Sequence, residues 1–299
     1  LVLNEVAHSI FYAPQYAAIE LGYFEEEGID LTLVNGGGAD KVMTALISGD
    51  AQIGFMGSEA SIYVYQEGSQ DYAVNFAQLT QRAGNFLVGR EPEPDFTWEN
   101  LRGKKVLGGR AAGMPQMVFE YILKKHGLDP KTDLSIDQSI NFGLTAAAFT
   151  SNDADYTVEF EPFATTLELE GSGYVVASLG TESGYVPYTA YCTRKSYMEE
   201  NPELVQKFTN AIQRGIDYVN SHTSEEIART IAPQFQETPV EKIALIVERY
   251  KAQDTWKEDT VFEQESFDLL QNILEEAGEL DERVPYADLV TTEFSEKAK

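Results

Sequence analysis

The residues best placed to do chemistry fall in the turns that follow short apolar runs. His8, Phe11 and Tyr12 follow the run Leu1–Val6. An imidazole there can bond a ligand, and the two rings can stack on a flat one or pack in the core. Gly36–Gly38, with Gly37 at its centre, follows a second run and lets backbone approach closely. Gly57-Ser58 follows a third, where the free N–H groups of a helix start favour an anionic or carbonyl group. Ser58 acting as an ordinary N-cap satisfies the same pattern. Gln81 lies in the turn Thr80–Arg82. Further on, Gly113 and Met114 lie in Arg110–Pro115, Asn141 opens Asn141–Leu144, Glu159 and Glu161 flank Phe160, and Tyr188 follows Pro187. A carboxylate such as Glu161 can accept from an amino group, or it can cap a helix. Arg82 and Arg110 are the side chains that clamping an oxyanion would need, although a solvated or structural role is the simpler reading of each.

Nothing in this set reads as a catalytic machine. No Ser-His-Asp order, phosphate-cradling glycine loop or metal-spaced acid cluster stands out, and no cofactor is expected. Cys192 is the sole cysteine, so it forms no internal disulfide and reads as a small buried apolar residue. His8, His126 and His222 are too scattered for a metal cluster. With 22 basic and 49 acidic residues the net charge is −27, a surface that repels nucleic acid and anionic headgroups and favours a monomer. No run of about 18 apolar residues is present. The sequence opens at Leu1 on a strand, which leaves open a cytosolic protein or one whose export signal was removed.

The elements that must position these turns alternate strand and helix. Leu1–Val6, Ile29–Val34, Gln52–Met56 and Tyr72–Leu79 read as strands. Helices are expected from Pro14 to about Gly28, through Val42–Ile47 to Gly49, and from Gly57-Ser58 to about Gly68. After the acidic, proline-rich Glu91–Asp95 the pattern resumes with strand Lys105–Gly108 and a helix from about Gln116 to His126. It continues through Asn141–Phe149, Asp155–Val158, Glu161–Leu169, Tyr174–Ser178 and the strand Tyr185–Thr193. From Asn201 the chain is helical, with Asn201-Pro202 as a cap and capping boxes at Thr238–Glu241 and Thr260–Glu263. The expectation is an α/β fold of two lobes, each a mostly parallel sheet flanked by helices: residues 1–84 with 191–299, and residues 85–190. The chain would cross near Gly84–Arg90 and again near Tyr188–Arg194, and two crossings make a hinge.

Five ordered segments carry a resemblance. Ala17–Leu31, with Gly22-Tyr23-Phe24 and Gly28-Ile29, resembles the opening of a family of substrate-binding proteins of ABC importers. That family takes sulfonates, taurine, nitrate or pyrimidine precursors of thiamine. Leu46–Gly54, Trp98–Val106, Asp153-Ala154-Asp155 with Glu161-Pro162, and Asn201-Pro202-Glu203 resemble its later segments in order. The resemblance implies the type II periplasmic-binding-protein fold, with a small organic solute held in an interlobe cleft. It also implies delivery to the transmembrane subunits of an ABC permease, and an extracytoplasmic place in the periplasm or on a lipid anchor. Acids and aromatics outnumber arginines in the candidate turns, which leans toward a flat nitrogen heterocycle over an alkanesulfonate, taurine or nitrate. A different class stays open: the fungal pyrimidine synthase of thiamine biosynthesis resembles the same opening. Its cysteine run is absent here, and Tyr12 stands where its donor histidine would be. A detached sensory domain is a further alternative.

Overall fold

The computed structural model describes residues 1–141 and 143–298, so Phe142, inside the predicted turn Asn141–Leu144, lies outside the described residues. Two compact units emerge: Leu1–Gln81, Val186–Leu270 and Glu282–Lys299 form unit one, and Arg82–Tyr185 with Gln271–Asp281 form unit two.

Along the chain, unit one opens with β1 (Val2–Glu5), a 3-10 turn at Ile10–Tyr12, α1 (Ala13–Glu20) and α2 (Tyr23–Glu26). Then come β2 (Thr32–Asn35), α3 (Ala39–Ser48), β3 (Ile53–Met56), α4 (Glu59–Gln66) and β4 (Ala73–Thr80). Unit two contains β5 (Phe86–Gly89), β6 (Lys105–Leu107), α5 (Met114–Lys125), β7 (Ser135–Asp137) and α6 (Thr145–Ser151). It continues with β8 (Tyr156–Glu159), α7 (Phe163–Leu169), β9 (Tyr174–Ser178) and α8 (Leu179–Ser183). The chain then runs through β10 (Thr189–Arg194), α9 (Lys195–Glu200), α10 (Pro202–Ser221), α11 (Ser224–Ile231), α12 (Val240–Ala252) and α13 (Gln264–Ala277).

The two sheets repeat one design. Unit one orders its strands β2-β1-β3-β10-β4 and unit two β7-β6-β8-β5-β9. In each, the fourth strand in order runs antiparallel to both neighbours and the rest are parallel. The reversed strands, β5 and β10, are the first laid down after the chain changes unit. Each therefore starts at the carboxyl edge of its sheet, because an antiparallel strand begins where its neighbours end. The outer edge of β4 is not bare: Gln78 N–H donates to Thr260 O (2.8 Å), Lys257 N–H to Leu79 O and Thr291 N–H to Asn75 O (3.0 Å). Covering the edge in this way removes a template for strand pairing.

Several local expectations change. The helix expected from Pro14 to Gly28 is split at Gly22, which takes the left-handed conformation (φ 74°). Phe86–Gly89 is a fully buried strand where a bare crossing was expected. An apolar run this short has no periodicity to distinguish strand from connector. Asn141–Phe149 contributes a helix, α6, and Pro187 holds off the start of β10 until Thr189. The capping boxes fall elsewhere. Thr260 is buried with its hydroxyl on Ser295, and α12 starts without a side-chain cap. The reciprocal box is at Thr223 and Glu226. Asn201 Nδ2 donates back to Tyr197 O instead of capping α10.

The apolar residues Leu204, Val205, Phe208, Ala211, Ile212, Ile216 and Val219, which recur at helical spacing in the sequence, form the inner face of α10: all are fully buried except Leu204, which is half-buried. On this helix Gly215 lies against α1, and a Cβ there would fall 2.2 Å from Pro14 O. The obstacle is backbone, so the helices must separate. Gly215→Ala is expected to cost about 1–2 kcal/mol despite alanine's better helix propensity, read as a lower denaturant midpoint at unchanged slope.

Candidate functional site

Ligands of open α/β sheets bind outside the carboxyl ends of the strands, so the site is built from those edges. In unit one, β1 places Glu5 at its end with the side chain completely buried. Glu5 Oε2 accepts from Gln15 Nε2 and from the Tyr16 hydroxyl, both at 2.8 Å, and Oε1 meets His8 Nδ1 at 2.6 Å. The other ring nitrogen of His8 faces Gln234 O at 2.9 Å. Both nitrogens point at acceptors, a pattern that only the doubly protonated ring satisfies. The hydrogen bond to Glu5 accordingly raises the His8 pKa above its ordinary 6.5, against the opposing effect of burial. Tyr191 donates to Gln15 Oε1 (2.9 Å), and Ser9 N–H donates to the Tyr16 hydroxyl (3.1 Å). The network thus clamps the turn that leads into Phe11 and Tyr12.

Phe11 and Tyr12 are buried. The Phe11 ring packs on Tyr12, Tyr188 and Tyr250 at 5.1, 5.7 and 5.3 Å, and Tyr12 packs edge-on against Phe55 at 4.5 Å. Trp256 Nε1 donates to Phe11 O at 2.7 Å. Gln81 ties to the same segment, its amide donating to Asp254 O and Trp256 O. Ser58 does not cap α4 with its side chain; its hydroxyl donates to Pro187 O, next to Tyr188. These residues therefore form one continuous region of unit one. Gly37 stands apart, exposed on its turn at φ 67°, with its N–H donating to Asn35 Oδ1.

In unit two, Glu159 ends β8 and is 2% exposed. Burial pushes its carboxyl up to about 7, against hydrogen bonds from Thr157 and Thr145 that lower it. Glu161, equally buried, accepts from Thr165 N–H (2.9 Å) and Thr165 Oγ1 (2.7 Å), which binds it to the first turn of α7. Gly113 and Met114 open α5 without a side-chain cap, and Asn141 is exposed on its turn. Arg82 donates to Gly180 O and lies 4.4 Å from the Tyr185 ring centroid; Arg110 is exposed. Two cavities of about 140 and 160 Å³ are lined in part by Ala146, Phe163 and Glu170 and by Lys105, Asp137 and Asn152, and no predicted site residue lines either.

Sequence reasoning passed over Glu5, Gln15, Tyr16 and Tyr191. A usable signal existed in Leu3-Asn4-Glu5-Val6, where two polar residues interrupt an apolar strand. Burial also pushes the Cys192 thiol up to about 12, which makes it inert packing among Val42, Met43, Leu46 and Met56. Among the described residues no cluster could hold a metal ion, and no helix is long and apolar enough to cross a membrane.

Comparison with known proteins adds to this geometry. The family model described as NMT1/THI5 like matches residues 10–226. YtlA of Bacillus subtilis, which carries a binding-protein designation, is 44% identical over 293 residues, 98% of this chain and 88% of that protein. The alkanesulfonate-binding protein SsuA from Xanthomonas axonopodis, solved with MOPS bound, superposes with a TM-score of 0.77 at 17% identity, covering 98% of both chains. A 4-amino-5-hydroxymethyl-2-methylpyrimidine phosphate synthase of Aspergillus parasiticus is 22% identical over 220 residues, 70% of this chain but only 63% of the synthase.

Proposed function

Since the chain belongs to the NMT1/THI5-like family, we propose that it captures a small organic solute outside the cytoplasmic membrane and passes it to an ABC permease. The observation that carries this reading is the 44% identity to a protein designated as a binding protein, spread over 98% of the chain rather than confined to a motif. The duplicated sheet design supports it, because each unit has its own carboxyl edge lined with candidate turns. In this reading His8, Phe11, Tyr12, Gly37, Ser58, Gln81 and Tyr188 serve the solute from unit one. Gly113, Met114, Asn141, Glu159, Glu161 serve it from unit two. The protein acts as a monomer, without catalysis or cofactor.

The solute class we propose is a flat nitrogen heterocycle such as a thiamine pyrimidine precursor. The buried carboxyls of Glu159 and Glu161 suit amino groups, and the phenyl and phenol rings around Phe11 suit a flat ring. A thermal-shift panel of thiamine pyrimidines, riboflavin, sulfonates, taurine and nitrate tests both levels. A true ligand at a hundredfold over its dissociation constant stabilises by about 2.7 kcal/mol, a clear rise in melting temperature. A panel that shifts only with sulfonates sinks the heterocycle. Iron- and pyridoxal-phosphate-dependent pyrimidine formation by the purified chain would overturn the non-enzymatic reading.

A further inference from the structure

We infer that the outer edge of β7, with the cavity beside it, docks an extended basic segment of a second protein, which adds a strand to the unit-two sheet and seats one lysine or arginine side chain in the cavity. This surface is separate from the solute site. No candidate solute residue lies on β7 or lines the cavity, so the inference is independent of solute capture.

The backbone decides what can cover this edge. β7 is an outermost strand of its sheet. In a parallel pair, alternate residues of a strand bond the neighbour. Ser135 N–H donates to Lys104 O (2.8 Å) and Gly108 N–H donates to Asp137 O (3.0 Å), so Ser135 and Asp137 serve β6. Ile136, between them, turns its N–H and C=O outward, and neither has a hydrogen-bond partner among the described residues. Two other outer edges are covered: β4 by the segments that carry Lys257, Thr260 and Thr291, and β9 by Glu168, whose Oε1 accepts from Val175 N–H (3.1 Å). β2, the outer strand of unit one, lines neither of the two cavities. An open donor and acceptor on one strand residue match an added strand, whose backbone offers both in return.

The side chains select a basic occupant. Lys105 pairs with Ser135 and Leu107 with Asp137, so all four share one face of the sheet. They line the cavity of about 160 Å³ together with Asn152, Asp153 and Ala154. Arg90 pins that last wall, with Nε donating to Ala154 O (2.8 Å) and a terminal nitrogen to Asn152 O (2.9 Å). The volume suits one side chain and falls short of the roughly 300–1,000 Å³ of small-molecule pockets. Of the charged lining groups, Lys105 and Asp153 pair with each other. Asp137 has no cationic partner among the described residues. Its Oδ1 accepts from the Ser139 hydroxyl (2.6 Å) and N–H (2.8 Å), which holds the carboxyl below its ordinary value and therefore ionised. An incoming lysine or arginine completes that pair, and an acidic segment is repelled. A second copy of this chain is disfavoured on the same ground, because its net charge is −27.

The test is fluorescence anisotropy of the full chain with a labelled extended peptide, Thr-Val-Lys-Val-Thr. Its lysine-to-glutamate counterpart and a copy with every backbone nitrogen methylated serve as controls, and hydrogen exchange is followed at the Ile136 amide. The lysine peptide should bind about tenfold tighter than either control. At about nine-tenths occupancy the Ile136 amide should exchange about tenfold more slowly, because only the unoccupied fraction exchanges. Asp137→Asn, at an exposed position, should weaken the lysine peptide about threefold and narrow its lead over the glutamate peptide. Equal binding of the lysine and glutamate peptides overturns the choice of a basic occupant. Binding that leaves Ile136 exchange unchanged places the peptide elsewhere and overturns the edge assignment. No binding of any peptide at about millimolar concentration shows that a short, acidic strand is only a guarded edge, and overturns the inference. A concentration-dependent dimer that protects Ile136 also overturns it, by making the second copy the occupant.

Discussion

Glu159→Gln should stabilise the protein by about 3 kcal/mol above pH 7 and leave its stability unchanged near pH 4. Burial raises the Glu159 carboxyl from 4.5 to about 7 in the folded chain. Each pKa unit corresponds to about 1.4 kcal/mol of difference between protonation states. The folded protein therefore binds a proton that the unfolded chain has already released. Stability from this group is fully present below 4.5 and is lost as pH rises through 7. Glutamine keeps the shape and an acceptor oxygen for Thr157, which donates to Glu159 Oε1 at 2.6 Å, and carries no charge to desolvate. Chemical denaturation of both proteins from pH 4 to 8 reads the result as two curves that coincide in acid and separate across neutrality. Curves that stay parallel would mean that Glu159 is solvated in the folded state. If Glu159 accepts from the solute as proposed, a cationic ligand should hold its carboxyl ionised at neutral pH, and proton release on binding would report it.

His8→Ala should cost about 3 kcal/mol at pH 6, and the cost should shrink toward pH 9. The Glu5 side chain is fully buried, and His8, 30% exposed, is its one positively charged partner in the described hydrogen-bond set. Removing one member of a buried ion pair typically costs 3–5 kcal/mol, because the other charge stays behind without compensation. The partial exposure of His8 places the expected value at the lower end. The sign follows from the raised histidine pKa: the contribution is complete below 6.5 and is lost as pH rises through the higher folded value. At alkaline pH the wild-type imidazole is itself neutral, so alanine removes less. The double variant Glu5→Gln/His8→Ala should recover most of the loss, since no buried charge is then stranded. A His8→Ala cost that does not vary with pH would show that the ring acts only by packing on Tyr16 and Phe235, whose centroids lie 4.8 and 4.9 Å away.

These two groups also mark the limit of what a linear reading can supply. The repeated βα order, the helix stop at Gly49 and the apolar face of α10 were all legible, because each depends on neighbours within a few residues. The two-unit α/β architecture followed from that order. The antiparallel strands β5 and β10 were legible only as apolar runs. Which strands they join depends on segments far along the chain, as in Met56 paired with Ala190, 134 positions later. Ser58 lies after β3 and Gly113 after β6, as their place behind apolar runs suggested, whereas Tyr188 lies ahead of β10. The sequence could not say which side chains those turns turn inward. Phe11 and Tyr188, 177 positions apart, share one aromatic cluster, and His8 bonds a carbonyl 226 residues away. Local spacing by itself therefore determined where strands end and helices begin, because backbone periodicity and glycine conformations are short-range. Only the tertiary structure decided that His8 is held as a cation by Glu5 and that burial pushes the Glu159 carboxyl up. Desolvation and charge pairing are properties of the assembled interior, and they appear when distant segments meet.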